Sequence, residues 1–265
     1  MKRVIMMGDT HCGSRAGLTP PGYQETKSTS FGKLQRELWR HYKRMCVDYS
    51  DSDVMLFSGD AIDGKGFRSG GTELITSDRL EQAKMAADVI AEMKPKQIGM
   101  VHGTPYHTGV DEDFEYVVAK RLQDKYGIPT RLHSWLYIKV EGIVFHMRHK
   151  VGGSSRPHTA HSAPAGEALG VKMWEGEYHD WPQTDITVRG HRHKASRSWT
   201  TELGDVIVLP ALQAAHTKFG GRSCMSVVDW GVWPCIVDGD SYSLDNPGPD
   251  IIKLKAIKPD VLVIQ

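Results

Sequence analysis

The sequence has no long apolar run: nothing in its 265 residues approaches the roughly 18 consecutive apolar residues of a membrane span. Residues 1–3 lead directly into a short apolar segment that is too short for a signal-peptide core. We therefore expect a cytoplasmic protein with no membrane partner. The 4 cysteines form no CxxC pair and no dense framework, which argues against a disulfide scaffold and favours reduced thiols. Cys12 is predicted to be a small buried residue.

Strong net charge is also missing, since the formal value is only +1. There is no global basic field to drive non-specific nucleic-acid binding, although a local basic groove is still allowed. In contrast, 13 histidines is a high count, and it is the compositional feature that points to a metal site. The length and the hydrophobic share of 40% suit a single domain over 1–265, with a C-terminal extension from about residue 238.

The first half of the chain alternates between short apolar strands and amphipathic helices. Strands are predicted at 3–7, 53–58 and 97–101, and helices at 31–49, 78–93 and 111–126. Such alternation favours parallel strands joined by right-handed helical crossovers, with functional residues on the loops at the carboxyl ends of the strands. The core face of the second helix is predicted to consist of Leu80, Ala83, Ala86, Ala87 and Ile90.

After Pro129 the pattern changes to closely spaced short strands. A hairpin is predicted from 134–140 and 143–147, a flexible or anion-accommodating loop at 152–155, a helix at 163–175 and a strand at 185–189. Further strands, expected to be antiparallel, are predicted at 196–202, 206–209 and 225–237. Two apolar runs, 251–254 and 261–264, punctuate the tail. We expect an α/β first half and a strand-rich second half that pack as one unit.

Aspartate and histidine residues follow the predicted strand ends in five separate segments. These are Gly8-Asp9-Thr10-His11, Gly59-Asp60-Ala61-Ile62-Asp63, Gly103-Thr104-Pro105-Tyr106-His107, His149 and Gly190-His191-Arg192-His193. Their side chains can converge at one rim of a sheet despite their distance along the chain. Carboxylate and imidazole ligands together suit borderline divalent metals such as Mn, Fe, Zn, Co or Ni. Two such ions about 3.5–4 Å apart would activate a shared water and clamp the oxygens of a phosphoryl displacement.

The order and spacing of these segments resemble the calcineurin-like metallophosphoesterase superfamily, whose pattern runs Asp-x-His, Gly-Asp-x-x-Asp, Gly-Asn-His-Asp/Glu, His and Gly-His-x-His. The resemblance covers about residues 3–210. It implies an α/β fold, a four-layer α/β/β/α sandwich with mixed sheets, and a centre with two divalent metal ions. It also implies that the first ion is held by Asp9, His11 and His193, that Asp60 bridges, and that the second ion is held by His149 and His191. Asp63 would support these ligands without binding a metal ion itself.

One segment departs from the family pattern, because Gly103-Thr104-Pro105-Tyr106-His107 stands where the family has Gly-Asn-His. This variant is similar to phage- and prophage-type members, and it removes the asparagine that normally completes the ligands of the second ion. A hydroxyl oxygen of Thr104, a water or an inward-turned His107 would take its place. We favour Thr104 as a metal ligand and His107 as a catalytic residue that stabilises the transition state or protonates the leaving oxygen.

The resemblance implies hydrolysis of phosphoesters by a hydroxide that bridges the two ions, for which Mn is the first choice. Long loops at 13–30, 64–76 and 152–163 would build an extended cleft, so we favour a phosphodiesterase that acts on nucleotides or nucleic acid. A phosphomonoesterase, including a protein phosphatase, is the alternative within the class. The alternative outside it is a non-catalytic scaffold of the same fold in a nucleic-acid-processing complex.

Several residues near these segments have a competing structural interpretation. His146 competes with His149 as the fourth segment, and the two glycines that follow favour His149. Surface or loop positions are predicted for His158, His161 and His179. Solvated surface charge or joint neutralisation of phosphate oxygens is predicted for Arg148, Lys150, Arg156, Arg189, Arg192 and Arg197. Core or loop anchoring, with base stacking as the alternative, is predicted for Trp174, Trp181, Trp199, Trp230 and Trp233.

Overall fold

The computed structural model describes residues 1–110, 113–151, 162–215, 228–245 and 248–254. Several sequence-based predictions therefore lie outside the described residues. They concern the loop at 152–155, Arg156, His158, His161, the start of the helix at 111–112, the strand residues 225–227 and the apolar run at 261–264.

Strands and helices alternate through the first half as predicted. The strands are β1 (Lys2–Met7), β2 (Val54–Phe57), β3 (Ile98–Val101), β4 (Thr130–His133), β5 (Leu136–Val140), β6 (Ile143–Met147), β7 (Ile186–Arg189), β8 (Ser196–Thr200), β9 (Gly204–Val208), β10 (Trp230–Asp238), β11 (Ser241–Ser243) and β12 (Asp250–Ile252). The α-helices are α1 (Ser30–Asp48), α2 (Arg79–Glu92), α3 (Pro105–Thr108), α4 (Asp113–Tyr126) and α5 (Ser162–Glu177), and short 3-10 helices cover Pro21–Tyr23 and Phe67–Ser69.

The first sheet has the strand order β11-β10-β1-β2-β3-β4, and β12 also pairs with β10. Strands β1 to β4 are parallel, so the carboxyl ends of β1, β2 and β3 lie at the same edge of the sheet. The last four residues of β1, Val4–Met7, are apolar and buried on both faces of the sheet. Ile5 and Met7 belong to the core beneath the helices, whereas Val4 and Met6 belong to the core between the sheets. Strand β4 was not predicted, because its residues Thr-Arg-Leu-His form no apolar run.

The second sheet has the order β5-β6-β7-β9-β8. The predicted hairpin of β5 and β6 is confirmed, with Val140 opposite Ile143. The antiparallel pairing predicted after 196 is confirmed for β8 and β9, and β9 also pairs with β7 in parallel, which was not predicted. Strand β10 does not belong to this sheet. It pairs antiparallel with β1 of the first sheet. It is buried almost throughout, which suits an internal position between β1 and β11.

Two hydrophobic cores separate four layers. The first core contains side chains of α1, α2 and α4 against one face of the first sheet, and the second fills the space between the sheets. Helix α5 contacts β8 and β9 of the second sheet. The predicted α/β/β/α sandwich is therefore confirmed. No helix in the described part of the chain has both the length and the apolar character to cross a membrane.

In helix α2 the hydrophobic periodicity predicted one core residue incorrectly. Four predicted core residues are buried, namely Ala83, Ala86, Ala87 and Ile90, but Leu80 is 51% exposed. The carboxylate of Asp78 caps the helix by accepting hydrogen bonds from the backbone of Leu80 and Glu81. Leu80 therefore lies in the first turn of the helix. At this position the helical spacing that buries the later residues does not bring the side chain into the core.

Candidate metal centre

The loops that follow β1, β2 and β3 meet at one edge of the first sheet, and the loops after β6 and β7 approach them from the second sheet. Backbone hydrogen bonds tie the first two loops together: Asp9 N donates to Gly59 O at 2.9 Å and His11 N to Asp60 O at 3.1 Å. Gly190 N likewise donates to His149 O at 2.9 Å. Thr104 N donates to Asp60 Oδ1 at 2.6 Å, and His191 N donates to Asp9 Oδ2 at 3.2 Å, so all five segments are joined around one point.

The backbone itself is unusual at this point. Five of the predicted metal ligands adopt left-handed φ angles, namely Asp9 (49°), His11 (43°), Asp60 (51°), His191 (70°) and His193 (53°). Residues with a Cβ rarely adopt this conformation, and such strain is concentrated at functional sites. The turns after β1, β2 and β7 thus place side chains where ordinary turns would not.

The first cluster joins Asp9, His11 and His193, whose candidate ligand atoms lie within 4.8 Å of one another. His193 Nε2 lies 3.2 Å from Asp9 Oδ1, and His11 Nε2 lies 3.8 Å from the same oxygen. Asp63 Oδ1 contacts His11 Nδ1 at 3.1 Å, so it fixes the orientation of that ring. Asp63 therefore lies behind His11, as the resemblance implied.

The second cluster joins Asp60, His149 and His191 within the same 4.8 Å limit. His149 Nε2 lies 2.9 Å from Asp60 Oδ2, and its Nδ1 contacts the carbonyl oxygen of Ser58 at 2.6 Å. Thr104 Oγ1 lies 3.2 Å from Asp60 Oδ2 and from His191 Nδ1, and 3.3 Å from His149 Nε2. The hydroxyl of Thr104 is thus placed among the second set of candidate ligands.

His107 lies between the two clusters and forms a third group with His11 and Asp60. Its Nδ1 contacts the carbonyl oxygen of Asp63 at 2.8 Å. If that nitrogen carries the proton, Nε2 is left as the acceptor or ligand atom. Burial, followed by the nearby His11, lowers the pKa of His107 below its usual value. The position fits both roles considered from the sequence, a catalytic group and a ligand.

Charge within the clusters is distributed in favour of a cation. Burial lowers the pKa of His11, but hydrogen bonds to Asp63 and Asp9 outweigh it and raise the pKa to about 10. Burial likewise lowers the pKa of His149, but the charge of Asp60 outweighs it and raises the pKa to about 9. The carboxylates therefore hold positive charge on these rings, and a metal ion would supply the same charge.

One buried oxygen tests whether the residues fit a metal ion. Asp9 Oδ1 is inaccessible to solvent and has no hydrogen-bond partner among the described residues. The 3.2 Å approach of His193 Nε2 does not provide hydrogen-bond geometry. A buried carboxylate oxygen without a partner is unfavourable, and imidazole nitrogens face it. The donor set fits a divalent ion with oxygen and nitrogen ligands.

Sequence reasoning missed Glu115, which is completely buried beneath the centre. Its Oε1 accepts a hydrogen bond from Ala61 N at 3.1 Å, and its Oε2 accepts one from Gly103 N at 2.6 Å. Burial raises the pKa of this carboxyl to about 8. Glu115 shares the helical spacing i, i+3, i+7 with the buried Val118 and Leu122. A charged residue on the apolar face of α4 was therefore the sequence signal that could have identified it as buried.

His149 rather than His146 reaches the centre, as predicted. His146 is buried against Tyr137, with ring centroids 4.8 Å apart, and its Nδ1 lies 3.4 Å from a guanidinium nitrogen of Arg189. Burial, together with the charge of Arg189, lowers the pKa of His146 to about 3. The predicted surface position of His179 is confirmed, and so is the burial of Cys12.

The interpretation of surface charge is wrong for Arg189. Its side chain is completely buried, where Nε donates to Glu167 Oε1 at 2.6 Å. Arg197 is directed into an ion pair with Asp205. The tryptophans also divide: Trp230 and Trp233 are buried as predicted, but Trp199 is 61% exposed and anchors no core. A strand residue can face either way, and only the packing decides which.

Two packed sheets thus bring all five motif segments to one rim, where they form three groups of candidate metal ligands. The chain has the α/β/β/α sandwich that the resemblance to the calcineurin-like metallophosphoesterases implied. Within this fold the Asp-x-His and His-x-His segments come from different sheets and meet at the first cluster. The departure from the metallophosphoesterase pattern, at 103–107, lies at the second cluster and beside His11.

No family model and no curated protein matches the chain. Among solved structures it is similar to an archaeal phosphodiesterase, with a TM-score of 0.48, 10% identity and coverage of 94% of this chain and 99% of that one. It is similar to Vps29 from Entamoeba histolytica complexed with zinc (TM-score 0.45, 12% identity, 91% and 88% coverage). It is also similar to a dimetal phosphatase from Danio rerio (0.42, 9%, 89% and 92%).

Proposed function

We propose that this chain hydrolyses phosphoesters with two divalent metal ions. The first ion would be held by Asp9, His11 and His193, and the second by His149, His191 and Thr104. Asp60 would be shared between them. The observation that carries the proposal is the position of Asp60, which belongs to one group with His149 and His191 and to another with His11 and His107. A carboxylate shared in this way can contact two ions at once.

The residues around the ions have separate tasks in this proposal. Bound divalent ions would acidify water and neutralise charge on a phosphoryl group. Asp63 orients the His11 ring through the 3.1 Å contact with Nδ1. His107 is oriented by the Asp63 carbonyl at 2.8 Å, which leaves Nε2 to exchange a proton with the departing oxygen. Protonation of the departing oxygen requires the His107 ring with protons on both nitrogens, and a pKa below the usual value makes the Nε2 proton easy to transfer.

A diester is the substrate that the surroundings support best. A cleft of about 460 Å³ borders the second cluster and is lined by Thr104, Arg148, His149 and Lys150, among others. Its cationic side chains suit the negative charge of a phosphate, and its volume admits a substituent beyond the phosphate. We propose a nucleotide or nucleic-acid diester, and Mn as the first choice of metal because the donor set is carboxylate, imidazole and hydroxyl.

Metal-free protein supplied separately with Mn, Ni, Zn or Mg tests the proposal on bis(4-nitrophenyl) phosphate and 4-nitrophenyl phosphate. We expect metal-dependent turnover with the diester preferred, and loss of that turnover in Asp60→Asn. His179→Ala is the matched control, since it removes an exposed imidazole. Preference for the monoester would identify a phosphomonoesterase. Two bound ions by elemental analysis without turnover of either substrate would favour the non-catalytic scaffold.

A further inference from the structure

Five aromatic side chains form a continuous cluster at the edge of the second sheet, which we call the aromatic platform. It consists of Trp135, Tyr137, Trp174, Tyr178 and Trp181. The Trp181 ring lies 5.2 Å from Trp135 and 5.0 Å from Tyr178, with which it is stacked, and 6.4 Å from Trp174. The platform therefore joins the start of β5 to the end of α5 and the loop that follows it.

The platform is open to solvent rather than packed into a core. Trp135 is 39% exposed, Trp174 is 48% exposed and Tyr178 is 54% exposed. By comparison, Trp230 is completely buried and Trp233 is 3% exposed. A contiguous group of exposed large aromatic rings is uncommon on a soluble surface and marks a place where a ligand or partner binds. Aromatic faces of this kind are the usual support for stacked bases.

Arg148 connects the platform to the metal centre. Its guanidinium carbon lies 5.2 Å from the centroid of the Trp174 ring and 5.8 Å from that of Trp135. The same residue lines the cleft that contains Thr104 and His149. Arg148 also immediately precedes His149 in the chain, so the side chain that contacts the platform comes from a residue next to a candidate metal ligand. A molecule with its phosphate at the second cluster would therefore extend past Arg148 toward the aromatic rings.

We propose that the aromatic platform stacks an unpaired nucleobase of single-stranded nucleic acid whose phosphodiester lies at the metal centre. This inference rests on the proposed function for the identity of the scissile group, but base binding itself does not require catalysis. Arg148 and Lys150 provide positive charge for the backbone phosphates, and the rings provide apolar faces. Duplex bases cover each other's faces, so the platform selects a single strand.

Binding tests the platform without any reaction. The whole 265-residue chain, kept metal-free with a chelator so that no strand is cut, is titrated into fluorescein-labelled oligothymidylate while anisotropy is measured. Removal of one stacking ring weakens binding on the order of tenfold, so Trp174→Ala and Trp135→Ala should raise the dissociation constant by that factor. Trp174→Phe should restore most of the affinity because it keeps a ring.

The matched control is Trp199→Ala. Trp199 is 61% exposed and lies on β8, at the opposite edge of the second sheet from β5. Its removal should leave the dissociation constant unchanged. The same oligonucleotide annealed to its complement should bind at least tenfold more weakly. Equal effects of Trp199→Ala and Trp174→Ala, or equal binding of the duplex, would overturn the proposal.

A second measurement separates this proposal from the proposed function. Thymidine 5′-(4-nitrophenyl) phosphate and methyl 4-nitrophenyl phosphate share the nitrophenolate leaving group. Only the first carries a nucleobase. Trp174→Ala should lower the ratio of their kcat/KM values about tenfold. Turnover of the methyl diester with an unchanged ratio and unchanged oligonucleotide binding would overturn the platform and leave the phosphoesterase intact. Tryptophan-dependent binding without turnover would overturn the enzyme and leave the platform.

Discussion

His11 Nε2 and His193 Nε2 lie 3.2 Å apart although the two residues are separated by 182 positions in the chain. His11 follows β1 of the first sheet, and His193 follows β7 of the second. Two imidazole nitrogens at this distance require either a shared proton or a cation between them and the neighbouring carboxylate. A metal ion at this point would link the two sheets, so metal binding and folding stability should be coupled.

The first prediction concerns His193→Ala. The variant loses one of three candidate ligands of the first ion, so it should bind about one ion per chain fewer than the wild type while retaining its fold. Elemental analysis gives the stoichiometry, and circular dichroism checks folding. The wild type should also show a higher melting temperature after addition of Mn or Zn, by a larger margin than the variant. His179→Ala should behave as the wild type, and an unchanged stoichiometry in His193→Ala would contradict the assignment.

Thr104 provides a second prediction, because its hydroxyl oxygen lies 3.2 Å from both Asp60 Oδ2 and His191 Nδ1. Thr104→Val keeps the shape and removes the oxygen, so the second ion should bind more weakly, on the order of tenfold. Thr104→Asn introduces the amide oxygen of the family pattern and should strengthen binding of that ion. Calorimetric titration of metal-free protein with Mn measures both. Identical affinities in all three proteins would exclude a role for Thr104.

Removal of Glu115 should destabilise the loops beneath the metal centre. Glu115→Ala leaves the buried amides of Ala61 and Gly103 without their acceptor, and each such loss costs about 1–3 kcal/mol of unfolding free energy. Urea denaturation should therefore show a loss of about 3 kcal/mol. Asp124→Ala, on the same helix, removes an exposed partner of Lys120 and should change stability by less than about 0.5 kcal/mol. Comparable effects of the two substitutions would contradict the role of Glu115.

Gly103 is required for space rather than for backbone freedom. A Cβ at this position would lie 2.2 Å from both the backbone nitrogen and Oδ1 of Asp60. Gly103→Ala should displace Asp60 and abolish binding of at least one metal ion. Gly170→Ala is the matched control, because nothing lies within 4 Å of a Cβ there and the residue is inside α5. That substitution should stabilise the protein by about 0.5–1 kcal/mol in thermal or urea unfolding.

The low pKa of the buried His146 implies that the free energy of unfolding depends on pH. Its folded pKa of about 3 lies below the usual value of 6.5, so the unfolded chain binds more protons between these values. The stability contribution is complete above pH 6.5 and is lost as the pH falls toward 3. From pH 7 to pH 5 the wild type should lose about 2 kcal/mol more than His146→Gln, which does not titrate. Parallel pH profiles from urea denaturation would show that His146 is not held neutral.

Local sequence patterns determined most of the first sheet. The apolar runs that become β1, β2 and β3, and the periodic helices between them, were predicted because burial on both faces and helical spacing leave a direct mark on neighbouring residues. The chain order of the Asp and His motifs also indicated the site, since parallel strands deliver their following loops to one edge. The fold and the grouping of Asp9, His11, Asp60, His149, His191 and His193 were therefore accessible from the sequence.

Other features depended on contacts between distant segments. The pairing of β10 with β1 and of β9 with β7 follows from which strands find an open edge, and no local pattern records that choice. The burial of Arg189 against Glu167 and of Glu115 beneath the loops contradicts the usual exposure of charged residues. The sequence by itself determined which residues could bind a metal. Only the tertiary structure decided their distances and contacts, because these depend on how the two sheets pack.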